Sequence, residues 1–402
     1  MSQLPLESVE DIEGAIISAS LRKRVILFVF DAGTGIGHLR RVSCIAKSLQ
    51  RHFACLIITG HREITNWFIS RDCEYVHVPA WESLLSDKAK YWGRVPFLSL
   101  PLKEAILLRK KILRGIVEAY SPDLIIVDHL PLGAHEELED IISETPSVKY
   151  LVTRGVLNHS GGLFDLVLGE KATEYLSLHY DRIIVAADER VIDFAKEYSL
   201  PEELARKTKH VGYVIDQICV DDLIEFRTTR RTDKESPWIV VSAGGGQLGE
   251  SLIEYSIEMS RSYPDVQFDI IFGPRSNLLG NTSKVRNLGK NVCVQLESSK
   301  MPLLNASADI VICSGGYNTL LEALQGNARI ICVPNWKDPR DEQTFHAKCL
   351  GKFAEISIVP EVHDLGDALA ATLRLPMVQD ARGQLNLSGA AIIEQLALKD
   401  LR

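Results

Sequence analysis

The sequence lacks the cysteine patterns of zinc sites and disulfide frameworks. Its 402 residues include eight cysteines, but no two form a CxxC pair and none stand at metal-ligand spacing. Several, such as Cys313 and Cys332, lie inside apolar runs, as buried free thiols in a reducing compartment do. We therefore expect no metal site.

Two further absences limit the class of partner. The formal net charge of −8 at pH 7 argues against nucleic acid as the main partner. No apolar run approaches the roughly 20 residues that a membrane-spanning helix needs, and the mixed acidic and polar N-terminus shows no secretion signal. The cytoplasm is the expected location.

The motifs for nicotinamide and ATP binding are incomplete or absent. Glycines 244, 246 and 249 match GxGxxG, whereas glycines 33, 35 and 37 are spaced as GxGxG. A dinucleotide site also needs an acid at the tip of the next strand, but those tips are TGH at 59–61 and FGP at 272–274. The Walker pattern, GxxxxGK followed by Ser or Thr, is absent. We therefore expect neither ligand.

Apolar runs alternate with longer amphipathic segments along the whole chain. Hydrophobic residues make up 46% and charged residues 24%, as in soluble globular proteins, and the length favours two domains. The alternation predicts two α/β domains with parallel sheets, facing each other across a cleft. The predicted strands are 25–30, 54–59, 75–78, 124–128, 149–153 and 182–186, then 238–242, 267–272, 292–295, 309–313 and 329–333.

The clearest domain boundary is residues 225–236. Four basic residues stand there among threonines, and Phe226 is the only large apolar side chain. This composition is typical of an exposed linker; a basic binding patch is the alternative. We predict an N-terminal domain over 1–224, a linker over 225–236 and a C-terminal domain over 237–402, whose last helix is free to pack back on the first domain.

The most informative stretch is residues 314–343, SGGYNTLLEALQGNARIICVPNWKDPRDEQ. It predicts a βαβ unit whose polar groups gather where the strands end, and ligands bind at that end of a parallel sheet. A Gly-Gly turn that opens a helix favours a phosphate. Glu322 lies six positions beyond Gly316, roughly 9 Å along a helix, which suits the span from a diphosphate to a ribose. The alternative is a core helix with incidental glycines.

Two titratable residues stand where predicted strands end or helices begin. His38 follows Gly37 where the first turn becomes a helix, and a histidine there can act as a general base near neutral pH; otherwise it packs on its own helix. Asp128 ends a predicted strand. It is interpreted as a second base, as an orienting partner or as a residue that starts a turn. Arg40 and Arg41 either meet an anion or form a solvated face.

These residues resemble the GT-B glycosyltransferases, in particular glycosyltransferase family 28, which includes the peptidoglycan enzyme that adds N-acetylglucosamine to a lipid-linked precursor. The resemblance covers about residues 24–375 and is strongest in 309–343 and 33–41. GIGHLRR, VDHLPLG and GGYNT…PRDEQ are similar to a bacterial branch of predicted glycosyltransferases. The resemblance implies a GT-B fold, with the acceptor bound by the first Rossmann-like domain and a nucleotide sugar by the second.

The resemblance also implies roles for single residues. Glu322 stands where the family glutamate holds the donor ribose, and Gln343, with Glu342 beside it, stands where a glutamine binds the donor-sugar hydroxyls. His38 matches the histidine of the family's GxGH turn, and 295–298 match the segment that contacts the base. Further donor-binding positions are Gly244, Gly245, Gly246, Gln247, Ser314, Gly315, Gly316, Tyr317, Asn318 and Thr319. Positions that bind the acceptor or a phosphate are Gly35, Gly37 and Arg41.

The implied reaction is an inverting, metal-independent transfer from a nucleoside diphosphate sugar, with a UDP-sugar favoured, to a hydroxyl of a small-molecule or lipid-linked acceptor. No cofactor is implied. His38, helped by Asp128, removes the acceptor proton, and backbone N–H groups at Gly315 stabilise the leaving diphosphate. Relatives carry Arg-Asp where this chain has Arg154-Gly155, so a role for that aspartate is not carried over. Glu342 replaces a glutamine, which bears on sugar choice.

Other functions stay open. GIGHLRR also resembles the nucleotide-sugar hydrolase of pseudaminic acid synthesis, although that enzyme is shorter; an epimerase shares the fold; and a non-catalytic sugar-nucleotide sensor is a third alternative. Residues 81–120 are expected to choose the acceptor. Their apolar and basic residues allow two interpretations. One is contact with anionic lipid; the other is a core-packing loop followed by a helix that buries Leu107, Ile112 and Ile116. A homodimer is also left open.

Overall fold

The computed structural model describes residues 22–29, 36–61, 69, 73–84, 93–96, 98–157, 163–231, 236–244, 249–273, 276, 288–335, 341–375 and 384–402. Several predicted site residues lie outside these ranges, namely Gly35, Gly245, Gly246 and Gln247. Within the described residues the chain forms a seven-stranded sheet, a six-stranded sheet and a two-stranded hairpin. Both large sheets are parallel, which confirms the predicted α/β class.

The N-terminal domain is built on the seven-stranded sheet. In chain order its strands are β1 (Arg24–Phe28), β2 (Ala54–Thr59), β3 (Glu74–His77), the antiparallel hairpin β4 (Trp81–Leu84) and β5 (Gly93–Pro96), then β6 (Leu124–Asp128), β7 (Val148–Arg154), β8 (Arg182–Ala186) and β9 (Thr208–His210). The sheet order is β3-β2-β1-β6-β7-β8-β9. Every residue of β6 is buried, as expected for a strand covered by helices on both faces.

Helices cover both faces of this sheet. They are α1 (Gly37–Leu49), α2 (Leu102–Tyr120), α3 (Glu139–Glu144), α4 (Leu163–Leu168), α5 (Glu170–His179), α6 (Phe194–Glu197) and α7 (Glu202–Lys207). The next helix along the chain, α8 (Val220–Arg230), packs on the C-terminal domain instead. Successive side chains of a strand point to opposite faces. In β1, Val25 and Leu27 join the core that includes Leu39 of α1, while Ile26 joins the core that includes Leu113 of α2.

The C-terminal domain repeats the plan on the six-stranded sheet. Its strands are β10 (Trp238–Ser242), β11 (Gln267–Ile271), β12 (Val292–Gln295), β13 (Ile310–Cys313), β14 (Arg329–Cys332) and β15 (Ile356–Ile358), in the order β12-β11-β10-β13-β14-β15. Its helices are α9 (Glu250–Ser260), α10 (Met301–Ser307), α11 (Tyr317–Ala323), α12 (Glu342–Leu350), the short 3-10 helix Val362–Asp364, α13 (Leu365–Arg374) and α14 (Gly389–Asp400). The predicted βαβ unit is β13-α11-β14, with β13 and β14 paired in parallel.

The last helix, α14, returns to the N-terminal domain. Ile393 and Ala397 are fully buried in the core under α1, and Glu394 accepts a hydrogen bond from Ser48 of α1 at 2.5 Å. At the end of α14, Asp400 accepts from Arg182 of β8 at 2.7 Å. Full burial of a side chain such as Ile393 stabilises the packing by about 1.5–3 kcal/mol. The chain therefore crosses between the domains more than once.

The predicted linker begins inside a helix, because α8 extends to Arg230. Arg230 donates to the fully buried Asp269 at 3.1 Å, and Arg227 forms an ion pair with Asp309. Residues 225–230 are thus a helix docked on the C-terminal domain rather than an exposed linker, since two buried or half-buried carboxylates need cations nearby. The three arginines of the basic cluster, Arg227, Arg230 and Arg231, form ion pairs in this docking, and Lys234 lies outside the described residues.

Residues 98–120 show a helix whose buried face differs from the expected one. Along α2 the buried residues are Ala105, Arg109, Leu113 and Val117, four residues apart, whereas Leu107 is 53% exposed. The expectation that Leu107 is buried was therefore wrong, because the buried stripe passes through Arg109. Among the described residues, no helix is both long enough and apolar enough to cross a bilayer.

Candidate active site

His38 and Asp128 meet at the carboxyl ends of two neighbouring strands. α1 follows β1, and β1 pairs with β6, so the start of α1 lies beside the end of β6. Nδ1 of His38 lies 2.7 Å from Oδ2 of Asp128, and Nε of Arg41 donates to Oδ1 of the same carboxylate at 3.0 Å. The structure therefore brings three predicted residues together: a histidine, its carboxylate partner and an arginine that fixes that carboxylate.

The carboxylate determines which nitrogen of His38 carries the proton. Nδ1 also lies 3.0 Å from Nη2 of Arg41, but that nitrogen already donates to Asp128. We assign the proton to Nδ1 because the nearer carboxylate can only accept, and the lone pair is then on Nε2. Burial lowers the pKa of His38 to about 4, although Asp128 opposes this shift. Burial alone would raise the pKa of Asp128, but Arg41 and His38 hold it well below its usual range. At neutral pH the site thus pairs a neutral imidazole with an ionised carboxylate.

A second histidine, His129, completes this group and was missed by the sequence analysis. Its backbone has a φ of +69°, a left-handed conformation that non-glycine residues rarely adopt. The ring packs against His38 with centroids 5.2 Å apart, and its Nδ1 lies 3.2 Å from Oγ1 of Thr153. The tripeptide Val127-Asp128-His129 places the histidine directly after Asp128, but nothing in the sequence spacing shows that the chain turns sharply there.

The Gly315 turn follows β13 and requires glycine. Gly315 has a φ of +79°, and a Cβ built on it would lie 2.6 Å from Sγ of Cys332 and 3.3 Å from Cβ of Gln343. The turn therefore packs directly against the predicted sugar-binding glutamine. Beside it, Oγ of Ser314 is buried and has no hydrogen-bond partner among the described residues, so a ligand oxygen could engage it.

Glu322 is buried and engaged by both domains. Its carboxylate accepts from Asn305 Nδ2 at 2.7 Å and forms an ion pair with Arg40 of α1, across the cleft. Gln343 is also engaged, since its side-chain oxygen accepts from the backbone N–H of Asn335 at 3.0 Å. The two residues predicted to bind ribose and sugar thus lie in the cleft with protein groups as their present partners.

Tyr317 does not face the glycine turn that precedes it. Its hydroxyl donates to the backbone carbonyl of Ala186, at the end of β8 in the N-terminal domain, at 2.6 Å. Its ring stacks on His346 with centroids 5.4 Å apart and an interplanar angle of 15°. The side chain therefore joins the two domains. Asn318, next in the chain, approaches the other side of the cleft, because a Cβ built on Gly37 would lie 3.3 Å from its Nδ2.

Gly244 begins the second glycine-rich turn of the C-terminal domain. It has a φ of +67° and follows β10, which pairs with β13 so that Ser242 lies opposite Cys313. Gly244 and the Gly315 turn therefore lie side by side at the same edge of the sheet. Among the described residues, no three His, Cys, Asp or Glu side chains are grouped as metal ligands would be.

The structure explains why glycine follows Arg154. A Cβ built on Gly155 would lie 2.5 Å from Cβ of Ala187 and 2.7 Å from Cγ2 of Ile192, so an aspartate does not fit. Arg154 itself forms an ion pair with Glu342 across the cleft. A carboxylate at position 155 is therefore not available to this chain.

Comparisons with known proteins show which family and which fold the chain is similar to. Residues 239–392 match the Glycosyltransferase family 28 C-terminal domain. A protein of Methanosarcina mazei named "Uncharacterized glycosyltransferase" is 22% identical over 361 residues, which are 84% of this chain and 87% of that one. MurG of Acinetobacter baumannii is similar in structure, with a TM-score of 0.58 and 15% identity over 94% of this chain and 99% of that one.

An epimerase is as close in structure. The UDP-GlcNAc 2-epimerase of Neisseria meningitidis has a TM-score of 0.60 and 14% identity over 94% of this chain and 100% of that one. Structural likeness at such identities shows the fold alone, and it defines a GT-B protein. The class rests on the family match and the named relatives. Residues 239–392 thus match the C-terminal domain of glycosyltransferase family 28, and the comparisons together support an enzyme of the glycosyltransferase type that uses a nucleotide sugar.

Proposed function

We propose that the protein transfers a sugar from a nucleoside diphosphate sugar, with uridine the favoured base, to a hydroxyl of a small-molecule or lipid-linked acceptor. The transfer inverts the anomeric configuration and needs no metal ion. One observation carries the proposal. The His38 ring is held by Asp128 at 2.7 Å, and it follows Gly37, on which a Cβ would lie 3.3 Å from Nδ2 of Asn318 in the predicted donor helix. A base and a donor site therefore face each other across one cleft.

The proposed chemistry is a single displacement. Nε2 of His38 accepts the proton of the acceptor hydroxyl, and the oxygen attacks the anomeric carbon on the side opposite the diphosphate. Asp128 stabilises the imidazolium that forms, as a carboxylate does behind a histidine base. Its ionised state is secured by Arg41. Because attack and departure are on opposite sides, the configuration inverts.

Donor binding follows the order of residues along the β13-α11-β14 unit. The diphosphate lies at the Gly315 turn, where backbone N–H groups and the unpaired Oγ of Ser314 are available to its oxygens. The ribose reaches Glu322 and takes the place of Arg40, while the sugar reaches Gln343. The contacts at Glu322 and Gln343 replace an existing ion pair and an existing hydrogen bond, so at these two residues the donor is bound by exchange of partners.

The test combines a thermal-shift screen against nucleotide sugars with a transfer assay. We expect a UDP-sugar to raise the melting temperature, and Glu322→Ala to abolish that shift. His38→Gln should keep the shift but lose about 10²- to 10⁴-fold in kcat, the usual contribution of a general base. EDTA should leave kcat unchanged, and NMR of the product should show the inverted anomer.

Four outcomes would count against the proposal. If no nucleotide sugar stabilises the protein, the donor class is wrong. Release of free sugar at the same rate with and without acceptors would indicate a hydrolase. Conversion of the donor to its epimer, again without an acceptor, would indicate that the likeness to the epimerase extends to the reaction. A kcat in His38→Gln close to that of the native protein would remove the proposed base.

A further inference from the structure

Arg154 reaches across the cleft from the N-terminal domain. It is the last residue of β7 and pairs in register with Ala186, the last residue of β8. The carbonyl of Ala186 accepts the Tyr317 hydroxyl at 2.6 Å, and the Arg154 guanidinium forms an ion pair with Glu342 at the start of α12. Arg154 therefore lies between the helix that follows the Gly315 turn and the helix that carries the predicted sugar-binding pair.

One hydrogen-bond donor of Arg154 is unused. The side chain is 17% exposed, and its Nε is buried without a hydrogen-bond partner among the described residues. A buried donor of a charged group without an acceptor is costly, so the position is suited to an anionic oxygen. Two other arginines of the cleft are engaged, Arg41 by Asp128 and Arg40 by Glu322.

The positive charge of Arg154 acts on groups from both domains. Burial, and after it the charge of Arg154, lowers the pKa of His346 in α12 to about 3 and the pKa of His129 well below its usual value. These imidazoles are neutral at pH 7. Arg154 is therefore a cation placed among neutral side chains, with a carboxylate as its one described ionic partner.

We propose that Arg154 is a donor-binding residue. Its guanidinium exchanges its ion-pair partner, Glu342, for the diphosphate of the nucleotide sugar. This inference rests on the function proposed above. When the bond between the anomeric carbon and the β-phosphate oxygen breaks, both of its electrons stay on that oxygen. The acceptor oxygen forms the new bond to carbon, and its proton passes to His38. A planar guanidinium donates two parallel hydrogen bonds to phosphate oxygens and stabilises the added negative charge.

The test measures binding of UDP and UMP by isothermal titration calorimetry. Arg154→Met should weaken UDP binding about 10- to 100-fold, the range expected for one lost charged hydrogen-bonding group, and should change UMP binding far less. Arg154→Lys should give an intermediate loss, because a lysine keeps the charge without the planar fork. Glu342→Gln breaks the same ion pair but frees Arg154, and UDP carries no sugar for residue 342 to contact, so UDP should bind more tightly.

The comparison of Arg154→Met with Glu342→Gln separates binding from a structural role. If the arginine only joins the domains, the two variants lose the same contact and should change UDP affinity equally, and that result would overturn the inference. Arg182→Met, which removes an arginine paired with Asp400 far from the cleft, is the matched control and should leave UDP affinity unchanged.

Failure of the proposed function gives a different result. If the native protein binds none of UDP, dTDP, GDP, CDP and ADP, the donor class is wrong. If it binds one of them and Arg154→Met binds that nucleotide as tightly, only the role of Arg154 is wrong. Should Arg154→Met fail to fold, the contrast between Arg154→Lys and Glu342→Gln still decides, because a loss of affinity confined to the lysine variant supports the inference and equal losses overturn it.

Discussion

At the scale of single residues, the cleft keeps its histidines neutral and its carboxylate charged. Burial is the main cause for His38, His129 and His346, while Asp128 remains ionised because Arg41 and His38 surround it. A neutral His38 can accept a proton across the whole neutral range. Burial of uncharged imidazoles also links the stability of the fold to pH.

The protein should lose stability as pH falls from neutrality. The pKa values of His38 and His346 are about 4 and about 3 in the folded protein, below the value of about 6.5 in an unfolded chain. Below about pH 6.5 the unfolded chain binds protons that the folded one excludes, so stability present above that pH is lost towards the folded pKa values. The expected loss is about 1.4 kcal/mol per pH unit for each histidine.

Urea unfolding at about pH 7.5 and about pH 5 measures this slope. His346→Phe removes one titrating group and should make the free energy of unfolding less dependent on pH. An unchanged slope in this variant would show that His346 does not titrate as its burial implies.

At the scale of helices and strands, the predictions succeeded where local pattern is sufficient. The predicted bounds of β2, β6, β8, β10 and β12 match the structure. The first four are largely buried, and buried parallel strands are continuous apolar runs. α8 was missed because its partners Asp269 and Asp309 lie 39 and 82 residues from the arginines that bind them. The edge strands β9 and β15 are three residues long, too short for a pattern.

The candidate site was predictable only in part, because local pattern does not show which distant residues meet. The resemblance placed His38 and Glu322 in the cleft, but spacing alone could not pair His38 with Asp128, 90 residues away. That contact depends on β6 lying next to β1. The ion pairs of Arg40 and Arg154 depend on how the two domains face each other, and no local pattern contains that information.

The returning helix α14 should contribute measurably to stability. Ile393→Ala removes a fully buried side chain and should lower the free energy of urea unfolding by about 2–5 kcal/mol. Leu398→Ala on the same helix is the control, since Leu398 is 37% exposed and should cost about 0.5 kcal/mol or less. Equal costs for the two variants would indicate that α14 is not packed as described.

At the scale of the whole molecule, ion pairs and hydrogen bonds hold the two domains face to face. Arg40 pairs with Glu322, and Arg154 pairs with Glu342. The hydroxyl of Tyr213 lies 3.2 Å from Nε2 of His346. Both ion pairs involve a predicted donor-binding carboxylate. Closure of the domains and binding of the donor therefore compete for the same groups, so a donor must supply contacts that replace them.

Removing both ion pairs should open the cleft. The Arg40→Gln, Glu342→Gln double variant loses one partner of each pair and should show a larger radius of gyration than the native protein in small-angle X-ray scattering. A compact chain of this length is expected near about 21 Å. Lys171→Gln, which breaks an exposed ion pair within the N-terminal domain, is the control; the same radius in all three proteins would contradict the role of the pairs.

The return of α14 to the first domain has a consequence for engineering. In a protein whose domains are successive segments of chain, donor specificity could be exchanged by replacing everything after the boundary. Here that exchange would remove Ile393, Ala397 and Glu394 from the core and surface they share with α1, and the recipient would inherit an unmatched helix. A functional chimera must therefore insert the donor domain as an internal module, about residues 237–375, and keep 384–402 from the parent that supplies the acceptor domain.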